Sequence, residues 1–295
     1  MVRDFDEFLS RDRGLTRDAC NRYCFFVRRF LDKFCGTAAP DWSSLRGEDI
    51  TAFVQRESLK LKRNAREAPG TAIRALLRYL VFIGAVGSGL ECAVPRMRRW
   101  KQSALPRYLS MEEIQGVING VLNDSPKGRR NYAMLLLLAR TGLRAGEVAD
   151  LMLGDINWTE GTLYIKPGKS RRERCLPLAQ DVGAALYNYL KKGRPRCKQR
   201  NVFLRAVPPF EPFRNSAAVR KIARRALIRA GIIHGPIGSH LFRHSAATGM
   251  LRGGASFKEI ADVLGHASIN TTAIYAKLDL SSLSRVAMPW PGSAP

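Results

Sequence analysis

Four short segments of this 295-residue chain gather side chains that can handle a phosphate group. In Thr141-Gly142-Leu143-Arg144-Ala145-Gly146-Glu147 a helix breaks at glycine and delivers an arginine, with a carboxylate three residues on that can pin it. The basic turn Pro167-Gly168-Lys169-Ser170-Arg171-Arg172 offers Lys169. In His240-Leu241-Phe242-Arg243-His244, the i, i+3, i+4 spacing places His240, Arg243 and His244 on one helical face. The fourth segment runs from Leu264-Gly265-His266 to Thr271-Thr272-Ala273-Ile274-Tyr275 and reads as a glycine-broken helix pair ending in a tyrosine.

Each segment also has a plainer explanation. Arg144 with Glu147 is an ordinary helix pair in most proteins, and a lysine in a turn commonly serves only solubility. His240 and His244 are spaced like a zinc pair, yet Arg243 on the same face repels a dication and no carboxylate follows as HExxH requires, so no metal is expected. Residues 256–275 imitate a helix-turn-helix, which keeps a DNA-binding regulator without catalysis in competition. Tyr275 taken alone is a core aromatic with a hydrated hydroxyl.

The net charge of +24 narrows the partner, because such a field attracts polyanions. Residues 1–104 hold 20 basic and 12 acidic side chains, and residues 105–295 hold 29 and 13, so both halves are expected to touch DNA. No single amphipathic helix or terminal tract concentrates the charge, and no apolar run is long enough for a membrane span, so no membrane association is expected. Six cysteines at irregular spacing, without CxxC and without a secretory signal ahead of them, point to a reducing, cytoplasmic location.

Elements able to position these segments follow from apolar periodicity. Thr16 is placed to cap a helix carrying Tyr23, Phe26, Val27, Phe30, Leu31 and Phe34; a second follows Asp41-Trp42-Ser43-Ser44 with Ile50, Phe53 and Val54 inward. Thr71, after Pro69-Gly70, is placed to cap a third, carrying Ile73, Leu76, Leu77, Leu80 and Val81. The outer-face residues Arg22, Arg28, Arg29, Arg74 and Arg78 are expected to contact DNA. Residues 95–107, basic and bracketed by prolines, read as a linker lying along phosphates through Arg98, Arg99 and Lys101. Beyond it, Ser110 with Glu113 forms a capping box, Asn131 to Arg140 is a core helix, and Thr162–Ile165 with Arg174–Leu178 forms a hairpin whose tip carries Lys169, Arg171 and Arg172. Everything after Gln180 reads as helical. The expectation is a mainly α (α+β) chain: a helical DNA-binding domain over residues 1–94, the linker over 95–107, and a mostly helical domain with a small antiparallel sheet over 108–295.

The order Arg, hairpin Lys, His-x-x-Arg, Gly-His, then Tyr nine residues later resembles the tyrosine recombinase (phage integrase) family, in its bacterial or phage Xer-like form. The resemblance covers nearly all of residues 105–280, with Phe242 standing where leucine is usual; the N-terminal part is similar to the family's core-binding domain in layout and charge only. It implies a site-specific recombinase that cuts and rejoins double-stranded DNA through a 3′-phosphotyrosine, without metal, ATP or other cofactor. Type IB topoisomerases share that chemistry and are the enzymatic alternative.

By the same resemblance Tyr275 is the nucleophile, while Arg144 and Arg243 grip the non-bridging oxygens. Lys169 protonates the departing 5′-hydroxyl, with Lys166 a weaker rival; His240 takes the tyrosine proton or orients the phosphate, His266 donates a hydrogen bond to it, and Glu147 supports Arg144. Those requirements match what phosphodiester cleavage needs on chemical grounds: an attacking hydroxyl, cations for the pentavalent phosphate and an acid for the leaving oxygen. A dimer on a full site and a tetramer in the synapse are implied, with residues 281–295, including Trp290, docking on a neighbouring protomer.

Overall fold

The computed structural model describes residues 1–36, 38–96, 106–121, 124–168, 173–266, 268 and 271–278. The chain divides into two compact units, Met1–Lys101 and Gln102–Pro295.

The first unit is a helical cluster of α1 (Val2–Arg11), α2 (Arg17–Phe34), α3 (Gly47–Leu59) and α4 (Ala68–Phe82). Phe5, Leu9, Val27, Phe30, Ile50, Phe53, Ile73, Leu76, Leu77 and Leu80 form its core. The predicted stripes on α2, α3 and α4 therefore face inward, and α1 adds a helix that the sequence reading left out. Two caps differ from expectation. The Thr16 hydroxyl makes no cap bond. Thr71 lies inside α4, bonding back to the Glu67 carbonyl at 2.9 Å, because Pro69 occupies the first helical turn, where its missing N–H has no intrahelical partner to lose.

The second unit contains α5 (Met111–Asn119), α6 (Pro126–Thr141), α7 (Ala145–Asp150), a sheet of β1 (Ile156–Asn157), β2 (Thr162–Ile165) and β3 (Arg174–Pro177), then α8 (Gln180–Lys192), α9 (Ala217–Arg229), α10 (Ser239–Arg252) and α11 (Phe257–Leu264). The strands are antiparallel in the order β1-β2-β3, with Leu163 opposite both Ile156 and Leu176. The predicted hairpin is present, and β1 extends it by a strand too short to leave a period. Residues 193–216 are irregular rather than helical.

Helix α6 is central because Leu135, Leu136, Leu137 and Leu138 are all buried, and a helix that is apolar all round has no solvent side. It packs against α8 and α10. The Ser110 capping box closes at both ends, Ser110 N–H to Glu113 at 2.8 Å and Glu113 N–H to Ser110 at 3.1 Å. The segment before it is tied to α10 by the Leu109 N–H donating to Ser245 at 2.7 Å and by Arg252 donating to the Tyr108 hydroxyl at 2.6 Å. No described helix is long and apolar enough to cross a membrane.

Candidate active site

Two helix ends build the site. Helix α6 stops at Gly142, whose φ of +64° is left-handed, and a Cβ there would lie 2.7 Å from a Leu264 methyl. Helix α11 stops at Gly265, φ +63°, where a Cβ would lie 2.5 Å from the Arg174 guanidinium. Both positions thus need glycine for conformation and for space. The last carbonyls of a helix have no intrahelical partner and sit at the negative end of its dipole, so they attract cations.

Three arginines use those carbonyls. Arg174 donates from Nε to Val263 O at 2.7 Å, Arg243 from Nη2 to Leu264 O at 2.7 Å, and Arg144 from Nη2 to Gly265 O at 3.0 Å. Arg243 also donates to Gly142 O at 2.9 Å, so one guanidinium joins the ends of α6 and α11. Glu147 lies between the other two. It accepts from the Arg144 N–H at 2.8 Å, Arg144 Nη1 at 3.0 Å, and the Arg174 fork at 3.2 and 2.9 Å. Burial alone would raise the Glu147 carboxyl; the hydrogen bonds from Arg174 and the Arg144 backbone, with both guanidinium charges, hold it below the usual carboxylate range. Arg243, only 6 % exposed, is drawn down to about 10 by burial and by the charge of Arg144. The site is a cationic cluster whose guanidiniums are held by backbone oxygens and one carboxylate, with donors left over, since each guanidinium carries five.

Tyr275 sits on a short 3-10 turn, Ala273–Leu278, and is 1 % exposed within a small cluster of Ala247, Ile260 and Leu264. Its hydroxyl lies 2.9 Å from His244 Nδ1, with the two rings 5.7 Å apart edge to face. Burial pushes the phenol up to about 12, against a smaller opposite pull from Arg243. His244 is lowered from its ordinary value by burial and then by His240 and Arg243, so it is neutral at pH 7 and can accept from the phenol. His266 is buried with Nδ1 2.7 Å from the Thr272 hydroxyl; burial and the charges of Arg243, Arg144 and Arg174 lower it to about 4. His240, in the first turn of α10, is likewise lowered by desolvation and by Arg243, Arg220 and Arg144.

The structure thus brings Arg144, Glu147, Arg243, His266 and Tyr275 into one network, with His240 electrostatically coupled to it. Lys169, Arg171, Arg172, Arg98, Arg99, Lys101 and the tail from 281 to 295 lie outside the described residues. Lys166 is engaged elsewhere, 3.0 Å from the buried Asp155 carboxylate. In the first unit Arg22, Arg28 and Arg78 are exposed. Arg29 instead pairs with buried Glu57 at 3.0 Å, and Arg74 donates to the Val94 and Pro95 carbonyls at 3.0 and 3.1 Å. Sequence reasoning assigns no catalytic role to two members of the network. His244 shares the phosphate-handling face of His240 and Arg243 and is otherwise read as half of a zinc-like pair, and Arg174 is read only as a strand residue. The helix-turn-helix reading of residues 256–275 fails on geometry, because the next described element after α11 is a 3-10 turn whose tyrosine is buried rather than a second α-helix offering an outer face. No group of three or more metal-ligating side chains occurs among the described residues.

Comparison with known proteins converges on one family. Residues 107–281 match the family described as the phage integrase family. The chain is 41 % identical over 293 residues to the integrase/recombinase y4rA of Sinorhizobium fredii, covering 99 % of this chain and 71 % of that protein. It is 30 % identical over 307 residues to the tyrosine recombinase XerD of Mycobacterium tuberculosis, covering 98 % and 95 %. Among solved structures, the XerH site-specific recombinase bound to a palindromic difH substrate, in a post-cleavage complex, aligns with a TM-score of 0.77 at 20 % identity, over 99 % of this chain and 85 % of that one.

Proposed function

This chain belongs to the phage integrase family, the tyrosine recombinases that cleave and religate DNA at specific sites, and from that premise we propose how its own residues divide the work. Tyr275 attacks the scissile phosphorus of double-stranded DNA; the bond to the 5′-oxygen breaks, and a 3′-phosphotyrosine forms. Arg144 and Arg243 bind the non-bridging oxygens and offset the charge gained at the pentavalent phosphorus. His266, with Nδ1 facing Thr272, presents Nε2 to the same phosphate. Lys169 gives a proton to the departing 5′-oxygen. The tyrosine proton passes to His244, the ring within hydrogen-bond reach, while His240 orients the phosphate. Attack by a second 5′-hydroxyl on the phosphotyrosine reverses the chemistry on a new strand, and the phosphoester energy is retained throughout. Exchange between two duplexes calls for a dimer on each full site and a tetramer in the synapse. Six free thiols suit a reducing cytoplasm.

The observation carrying this reading is the convergence of Arg144, Arg243 and His266 on the end of α11, with Tyr275 one short segment further along the chain and hydrogen-bonded to the turn of α10 that follows Arg243. The test is a nicked half-site that lets the 5′ fragment diffuse away. The expected outcome is a covalent protein–DNA adduct from the wild-type protein and none from Tyr275→Phe; an adduct of equal yield in that variant refutes the assignment of the nucleophile.

A further inference from the structure

We infer that Arg174 is a positioning residue that sets Arg144 for the scissile phosphate, acting through Glu147 and through the end of α11. The inference rests on the assignment of Arg144 to that phosphate. Arg174 is the first residue of β3, and its side chain is 8 % exposed. Its guanidinium uses all three nitrogens on two partners: Nη1 and Nη2 fork onto the two Glu147 oxygens at 3.2 and 2.9 Å, and Nε reaches Val263 O at 2.7 Å. Arg144 is held by the same two structures, Glu147 at 3.0 Å and the Gly265 carbonyl at 3.0 Å.

The two arginines therefore share a carboxylate and a helix end, and the geometry makes one the template for the other. A carboxylate that received only Arg144 would be free to rotate with it. Clamped by the planar Arg174 fork, Glu147 offers Oε1 to the Arg144 side chain and Oε2 to its backbone N–H from a fixed direction. The absence of a Cβ at Gly265 reinforces the point, since that atom would lie 2.5 Å from Arg174 Nη1: the turn that presents the Gly265 carbonyl to Arg144 has room for the guanidinium only because it is glycine. Because β3 starts at Arg174, five residues beyond Lys169 in the chain, the strand that returns from the hairpin is also the strand that orients Arg144.

The test uses the full-length protein and Arg174→Lys, which keeps the charge but cannot make the three-point contact. Half-site binding, the thermal unfolding midpoint and single-turnover adduct formation are measured, the last on two DNAs: a natural phosphodiester, and one whose scissile phosphate carries a methyl in place of one non-bridging oxygen. The methyl removes one negative charge, so that substrate has less need of Arg144. A misaligned Arg144 is expected to lower cleavage of the phosphodiester by about tenfold to a hundredfold with binding unchanged. On the methylphosphonate the loss is expected to shrink to less than about threefold, and in an Arg144→Ala background on that substrate Arg174→Lys is expected to add almost nothing. Equal losses on both substrates, or losses that multiply with Arg144→Ala, would show a merely structural role and overturn the inference, as would full activity of Arg174→Lys. Failure of the wild-type protein to form a Tyr275-linked adduct would overturn the site assignment together with the inference.

Discussion

The pH dependence of cleavage tests who takes the proton from Tyr275. Burial holds that phenol at about 12 in place of 10.0, so ionising it in its seat costs about 3 kcal/mol more than in water. At pH 8 only ~10⁻⁴ of it is phenolate, and an enzyme that waited for preformed phenolate would speed up tenfold with each pH unit, roughly a hundredfold between pH 7 and 9. A neutral imidazole at 2.9 Å removes that dependence by accepting the proton as the oxygen attacks. His244 is held below its ordinary 6.5 by burial, His240 and Arg243, so its basic form predominates at pH 7 and is lost as the pH falls through that lowered value. The wild-type rate of adduct formation is therefore expected to be flat from pH 7 to 9 and to decline on the acid side below 6.5. The assay is single-turnover cleavage of a half-site with a 5′-bridging sulfur, whose thiolate leaves without an acid, so that protonation of the leaving group does not enter the profile. His244→Ala is expected to slow cleavage at pH 7 by about 10²-fold or more and to restore a slope approaching one. A wild-type rate that climbs tenfold per pH unit from 7 to 9 would refute proton transfer to histidine, and a flat profile in His244→Ala would move that role to His240.

Two further outcomes follow from the cationic cluster. Arg243→Ala removes a contact that matters most at the pentavalent phosphate, so cleavage is expected to fall on the order of 10²-fold to 10³-fold while half-site binding, read by fluorescence anisotropy, stays within about threefold; parallel losses would make Arg243 a simple phosphate anchor. Glu147→Gln leaves the Arg174 charge buried without its counterion and is expected to cost about 3 to 5 kcal/mol in urea unfolding at pH 7. Because the Glu147 carboxyl is depressed in the folded chain, its contribution is complete above the unfolded value of 4.5 and disappears as the pH falls through the folded one, so the gap between wild type and variant should narrow in acid; a gap that persists to pH 3 would contradict the ion pair as its source.

What the sequence made visible is what lies within a few residues of itself. The core stripes of α2, α3 and α4, the Ser110 capping box and the Arg144–Glu147 pair all repeat at helical spacing, and all are found where that spacing puts them. Local misreadings have local causes. Pro69-Gly70 reads as a break before a helix, whereas the proline lies in its first turn, and β1 offers two residues, too few to show alternation. Helix α1 carries Phe5 and Leu9 inward, a stripe present in the sequence but overlooked between its charges.

The parts of the site that were not legible depend on contacts the sequence does not align. Arg174 meets Glu147 across 27 residues and Val263 across 89, and His244 meets Tyr275 across 31. Nor do residue types point to the contact with α11, because the Val263 partner is a backbone carbonyl, where any residue would supply the same oxygen. Only the glycine at Gly265 marks the place, and a glycine after a helix ordinarily means no more than a stop. The arginines fall into place once the helix end is seen as the anionic side of the cluster. The carbonyls of Val263, Leu264 and Gly265 accept from Arg174, Arg243 and Arg144, Leu264 also receiving Arg144 at 3.5 Å, so the end of an eight-residue helix fixes three cations around the position proposed for the phosphate. Fixing them before substrate arrives removes reorganisation from the reaction step, which is the condition under which charge is most effective in catalysis.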